Sequence, residues 1–235
     1  MKKILSSLSC ILLISLSVKA QSNAPYKSVG AWLGAAHYYG DLNTSTSILY
    51  PGVAGGFLIK NTITPRWAAK TSLSVAKLGF NEKNSKNAFQ QVRNLSFKSI
   101  LIELSEHVEL NFLDYFREGD HPKYSPYIFT GLSFIYFNTN PKYTEKVYLP
   151  FTLAIPYGLG VKYKINYFWE MAVEVGVRTT FSDYIDDVST VYYDENNPFG
   201  IAKKQRGDSK KMDKYMFVGV AIMHSWHKTR CPHPY

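Results

Sequence analysis

Between residues 151 and 181 the chain alternates so strictly that few folds can accept it. Phe151, Leu153, Ile155, Tyr157, Leu159, Val161, Tyr163 and Ile165 are large and apolar, while Thr152, Ala154, Pro156, Gly158, Gly160, Lys162 and Lys164 between them are small or charged. After an Asn166-Tyr167 turn, Trp169, Met171, Val173, Val175 and Val177 alternate in the same way with Glu170, Ala172, Glu174, Gly176 and Arg178. A period of two places successive side chains on opposite faces of a β-strand. Each predicted strand is about twice the ~5–6 residues usual in soluble sheets. One face carries Lys162, Lys164, Glu170, Glu174 and Arg178, which an ordinary apolar core cannot take up unpaired. The other face is bulky and apolar, and must meet a second sheet or lipid. A membrane-crossing strand needs about 9–11 residues, apolar outward and polar inward. The hairpin reads as two walls of a membrane barrel.

Similar segments recur along the chain. Strands are predicted over residues 28–39, 52–63, 67–80, 95–113, 126–138 and 215–226, which with the hairpin make eight. In the fourth, Ile100, Ile102, Leu104, Val108 and Leu110 oppose Glu103, Ser105, His107, Glu109 and Asn111, and Glu106 breaks the alternation. The fifth is apolar on both faces, with Phe129 and Ile135 opposite Ile128, Leu132, Phe134 and Tyr136. The connections after strands one, three, five and seven are long, and those after two and six are very short. Outer-membrane barrels show this parity, with long loops outside and tight turns in the periplasm. The connection after strand four is the exception, and an extension of that strand below the membrane is one account of it. The expected fold is therefore all-β: an eight-stranded antiparallel transmembrane barrel of the outer membrane, of the OmpA/OmpX type. A lipocalin-like barrel is the soluble alternative. It would need the bulky face of the hairpin inside, where eight strands leave no room, whereas Gly, Ala, Ser and charges fit there. For the same reason an open pore is not expected.

The N-terminus is consistent with export. Lys2 and Lys3 precede an apolar run from Ile4 to Val18, and Val18-Lys19-Ala20 offers a small-residue cleavage site. Residues 1–20 are expected to be a signal peptide, 21–228 the barrel and 229–235 a short periplasmic tail. Loss of residues 1–20 removes Cys10 and leaves Cys231 alone, so no internal disulfide framework is expected. It also removes three lysines and no acid, which takes the formal charge from +9 to +6. A basic chain at this address suits anionic lipid or lipopolysaccharide as counter-charge, and no nucleic acid is expected. The 18 tyrosines and four tryptophans suit the aromatic girdles of a membrane interface.

Several residues invite a chemical reading. The interior charges Lys70, Glu103, Glu109, Lys162, Lys164, Glu170, Glu174 and Arg178 are expected to be a salt-bridged filling rather than an ion path, because lone buried charges are costly. His37 sits at the outer end of strand one and His224 late in strand eight, yet no Ser-His-acid set converges on one rim, so no enzyme activity is expected. Lys203, Lys204, Arg206, Lys210 and Lys211 in the last long loop either contact lipopolysaccharide phosphates or form a solvated charge run. Arg206-Gly207-Asp208 is read as a coincidental match to an integrin tripeptide. Asp183, Asp186, Asp187 and Asp194 lack the Gly-punctuated spacing of a calcium loop, and neither metal nor cofactor is expected. Cys231 is a cross-linking thiol or a spare residue.

Ordered blocks along the chain resemble a family. Gly40-Asp41-Leu42-Asn43, Pro51-Gly52-Val53-Ala54-Gly55-Gly56, Pro65-Arg66-Trp67-Ala68 and Ser125-Pro126-Tyr127 are similar to the PorG-type barrels of Bacteroidetes. So are Ile155-Pro156-Tyr157-Gly158-Leu159-Gly160-Val161-Lys162-Tyr163-Lys164, Asp186-Asp187-Val188-Ser189 and Arg206-Gly207-Asp208-Ser209-Lys210. The resemblance implies a non-enzymatic outer-membrane barrel of the type IX secretion machinery, associated with the periplasmic ring proteins PorK and PorN. It transfers no individual site residues. With so short a tail, ring contacts would fall on the connection containing Arg117, Glu118 and Asp120, on the short turns, and on the tail with Arg230 and Cys231.

Overall fold

The computed structural model describes residues 26–39, 51–81, 96–115, 122–139, 150–181 and 213–227. Eight strands run β1 Tyr26–Tyr39, β2 Gly52–Thr62, β3 Trp67–Asn81, β4 Ser96–Asn111, β5 Tyr124–Thr139, β6 Phe151–Lys164, β7 Trp169–Thr180 and β8 Lys214–His227. Each pairs antiparallel with the next, and β8 closes on β1 from Tyr26↔His227 to Tyr39↔Lys214. Closure leaves no unpaired edge, the condition for a sheet to cross lipid.

Alternation dictates which side chains meet lipid. Leu33, Phe57, Leu73, Leu104, Leu132, Leu159, Val173 and Ile222 all point outward and are exposed, Phe57 at 73%. Their strand neighbours point into the lumen. The belt is bounded at one end by Trp67, Tyr124, Tyr163, Phe168, Trp169 and Trp226, all exposed. At the other end Phe151 packs between Phe134 and Tyr136, with ring centroids 5.6 and 5.1 Å away. An apolar wall between two aromatic rims is the outside of a transmembrane barrel.

The two tight turns are built from local polar chemistry. At residues 63–66 the amides of Ile63 and Thr64 both donate to the Trp67 carbonyl, and the Trp67 amide donates to Thr64 Oγ1 at 3.0 Å. At residues 165–168 Asn166 Oδ1 accepts from the amides of Phe168 and Trp169, at 2.9 and 2.8 Å, an Asx turn. Both turns lie at the same end as the β4–β5 connection and the chain ends of β1 and β8; we call it the turn end, and the opposite one the loop end.

The strand extension proposed for the β4–β5 connection is not what the structure shows. β4 stops at Asn111. The chain then stays tied to β5, with the Phe112 amide donating to the Pro126 carbonyl and the Leu113 amide to Ser125 Oγ, both at 3.0 Å. Tyr115 is buried. The described start of this connection is packed against the barrel rather than extended as strand.

Candidate functional site: the filled lumen

The inward faces of β2, β3, β4, β6 and β7 each contribute ionisable groups. Lys60, Lys70, Lys162 and Arg178 face Glu103, Glu109, Glu170 and Glu174, four cations against four carboxylates, and all but Glu174 are buried. In the turn-end half Lys60 pairs with Glu170. Beside it, Lys162 pairs with Glu109, and Lys70 bridges Glu109, at 3.0 Å, and Glu174. Lys162 also donates to Asn111 Oδ1 at 2.8 Å, and the Tyr127 hydroxyl to Glu174 at 2.7 Å. In the loop-end half Glu103 receives the Tyr215 hydroxyl, Ser133 Oγ at 3.1 Å and Arg178 Nε at 3.5 Å. Removing eight charges from water is costly, and mutual pairing plus hydrogen bonds is what offsets it.

Aromatic rings complete the neutralisation. Lys162 Nζ lies 4.2 Å from the Tyr127 ring centroid, Lys70 Nζ 5.0 Å from that of Phe129, and the Arg178 guanidinium carbon 4.4 Å from that of Phe217. Ring faces are electron-rich and attract cations most strongly where water is excluded. The rings fit because the neighbouring strands carry glycine. A Cβ on Gly176 or Gly158 would lie 2.6 or 2.7 Å from Phe129 Cζ, and one on Gly160 would lie 2.7 Å from the Tyr127 ring. Gly219 makes the same room for Trp32. The bulky residues of the hairpin do stay outside, but β1, β5 and β8 place Trp32, Tyr127, Phe129, Phe137, Tyr215 and Phe217 in the lumen.

Above the charges, the loop end is closed by an apolar plug of Ala36, Tyr38, Ala54, Ala76, Leu78, Leu101, Ile135, Phe137, Ala154, Tyr215 and Phe217. The Tyr38 hydroxyl donates to Asp213 at 2.6 Å beside it. Between plug and charges remains a cavity of about 40 Å³ bordered by Trp32, Lys70, His107, Glu109 and Phe217. His107 stacks on Phe129 with centroids 4.9 Å apart, and neither ring nitrogen has a hydrogen-bond partner among the described residues. A space of this size holds no more than a few water molecules. The lumen is a packed interior.

The structure thus brings Lys70, Glu103, Glu109, Lys162, Glu170, Glu174 and Arg178 into the lumen as a network of three groups: Glu170 with Lys60, Lys70 and Lys162 with Glu109 and Glu174, and Arg178 with Glu103. Lys164 instead sits half-buried at the turn-end mouth, 5.8 Å from the Tyr167 ring centroid. Lys60 belongs to the network although its sequence context, Lys60-Asn61-Thr62 before a turn, reads as strand-end polarity; only the β2 parity marks it as inward. The two histidines are kept apart. His37 is at the loop end of β1, whereas His224 is in the turn-end girdle, stacked on Phe168 and edge-on to Trp169 and Trp226. Among the described residues no cluster of three metal-ligating side chains occurs. Arg117, Glu118, Asp120, Asp183, Asp186, Asp187, Asp194, Lys203, Lys204, Arg206, Lys210, Lys211, Arg230 and Cys231 lie outside the described residues, as does the whole of 1–20.

Among solved structures the chain is similar to Ail, the attachment invasion locus protein of Yersinia pestis, in its complex with the heparin analogue sucrose octasulfate. That match has 9% identity over 86% of this chain and 98% of that one, with a TM-score of 0.42. Neisserial surface protein A (NspA) matches at 10% identity over 85% and 96%, TM-score 0.46. OprG from Pseudomonas aeruginosa matches at 9% over 87% and 97%, TM-score 0.45. These likenesses concern barrel architecture alone. No curated protein matches the sequence. The profile of the family described as Domain of unknown function (DUF6089) matches residues 2–234, and the chain belongs to that family.

Proposed function

We propose that this barrel is a non-enzymatic, non-conducting anchor in the outer membrane that holds a periplasmic assembly of the type IX secretion machinery. The observation that carries the reading is the filled lumen: with charges paired inside and a plug at the loop end, function falls to the surfaces. The secretion role itself rests on the resemblance to PorG-type barrels of Bacteroidetes, with PorK and PorN as the ring partners. At the turn end, the packed start of the β4–β5 connection, with Tyr115 buried, supports a fixed platform for such contacts. Arg117, Glu118, Asp120, Arg230 and Cys231 are the proposed contact residues. In this reading residues 1–20 direct export, 21–228 form the barrel and 229–235 the tail.

The test is export in a deletion strain carrying full-length or tail-truncated copies. Failed export rescued by the full-length copy alone supports the role and places essential contacts in the tail. Rescue by both moves them to the turns. Normal export in the deletion strain removes the secretion reading. A second reading, contact with lipopolysaccharide phosphates, is favoured by one observation. The four cations and four carboxylates of the lumen cancel, so the excess of basic residues is carried outside it, and Lys203, Lys204, Arg206, Lys210 and Lys211 are the proposed contacts. Lipopolysaccharide binding unchanged after neutralising these five would exclude it.

A further inference from the structure

One side chain on the lipid wall does not belong there. Glu106 lies on the outward face of β4, between Leu104 at 43% and Val108 at 47% exposure. It pairs in register with Thr71 of β3 and Leu132 of β5. Trp67 of the turn-end girdle pairs with Leu110, four residues along the strand. At about 3.3 Å per residue and a tilt near 40°, Glu106 stands roughly 10 Å inside the apolar belt. It accepts a hydrogen bond from the hydroxyl of Thr71, also outward, at 2.5 Å. No cation lies within ion-pair distance of it among the described residues. The luminal glutamates Glu103, Glu109, Glu170 and Glu174, by contrast, each have one.

The polarity around Glu106 is local. Asn61, outward on β2, is in register with Ala69, one outward position from Thr71. Its Oδ1 is buried, with no hydrogen-bond partner among the described residues. Thr130 of β5 is exposed one outward position from Leu132. Across the barrel, the β6–β7 wall from Leu153 to Val161 and from Met171 to Val177 has a single polar atom, the Tyr157 hydroxyl. Ionisable groups facing lipid are rare because hydrocarbon offers them no partner, and those that persist mark contacts.

We infer that the β2–β5 wall around Glu106 docks a membrane-embedded segment of a different protein that presents a Lys or Arg at this depth. Charge complementarity selects the occupant. A two-fold contact between copies of this chain would bring the same wall to face itself, and among the described residues the outward cations of the strands, Lys27, Lys77, Lys98 and Lys214, lie towards the strand ends and not at the depth of Glu106. A cation from another protein gives the carboxylate the partner that Thr71 alone does not. The inference goes beyond the ring-anchoring role and stands whether or not that role holds.

The test places a photo-reactive phenylalanine at Val108 or, on the other wall, at Val175, in the full-length chain in native outer membranes. A cross-linked product from Val108 and none from Val175, lost in Glu106→Gln, is the expected result. Equal products from both walls, or none from Val108, overturn the inference. Retention in Glu106→Gln overturns the assignment of a cation, and a product of twice the chain mass overturns that of a different protein. In parallel, the purified barrel in phosphatidylcholine vesicles is unfolded in urea. Glu106→Leu is expected to raise the unfolding midpoint, because the wall then suits lipid without a partner. A lowered midpoint would make the Glu106–Thr71 contact a stabilising element of the barrel itself and overturn the docking role.

Discussion

Glu109 is the side chain whose loss the lumen tolerates least. It joins two lysines, and the structure says which is orphaned when it goes. In Glu109→Gln, Lys70 keeps Glu174. Lys162 keeps the Asn111 amide oxygen at 2.8 Å and the Tyr127 ring, but no carboxylate among its contacts, and the lumen moves from balance to one excess positive charge. Removing one partner of a buried pair typically costs about 3–5 kcal/mol, a factor of roughly a hundred to several thousand in the folding equilibrium. Lys162→Met alone should cost less, since Glu109 retains Lys70 at 3.0 Å. The double variant removes both ends of the pair and restores neutrality, so it should fall at least ~2 kcal/mol short of the sum of the single losses. The assay is urea unfolding of the refolded barrel in vesicles, followed by tryptophan fluorescence. Additive losses, or a Glu109→Gln cost below about 1 kcal/mol, would refute the view that the filling is held by mutual neutralisation.

Three further outcomes follow from the same lumen. Gly176→Val pushes a side chain into Phe129 and should cost about 1–3 kcal/mol, with partial recovery in Gly176→Val/Phe129→Leu; equal stability of the two, in the same unfolding assay, would contradict the packing described. His107→Leu removes two buried unpaired nitrogens, whose burial costs about 1–3 kcal/mol, so it should leave stability unchanged or raise it; a clear loss in urea midpoint is the contrary result. In planar bilayers the native barrel should give no stepwise conductance, and regular steps in the native protein would disprove a closed lumen.

Most of the fold was readable because membrane strands spell out their own faces. From Phe151 to Lys164, every second residue is bulky and every other one small or charged, and β6 starts and nearly ends where that pattern does. Glu106 stood out because it broke the same rule. What a single strand does not disclose is who sits across the barrel. Lys60 reads as a turn-proximal lysine until closure brings β2 opposite β7 and Glu170. Tyr127 and Phe129 read as too large for a narrow lumen until the register sets them over Gly160 and Gly158 of β6. The packed start of the β4–β5 connection was equally hidden, because Tyr115 sits in a polar stretch with no periodicity to fix its direction.

The ion pairs also bear on how the barrel comes together. Of those described, Lys70–Glu109 alone joins neighbouring strands; Lys60–Glu170, Lys70–Glu174, Lys162–Glu109 and Arg178–Glu103 reach across the lumen. No hairpin can satisfy them on its own. A half-inserted, open sheet would hold those charges against hydrocarbon with most partners missing, whereas the closed cylinder holds none unpaired. Pairing of these charges therefore requires the sheet to curl on itself, and any state that leaves it flat carries the cost of charges without partners.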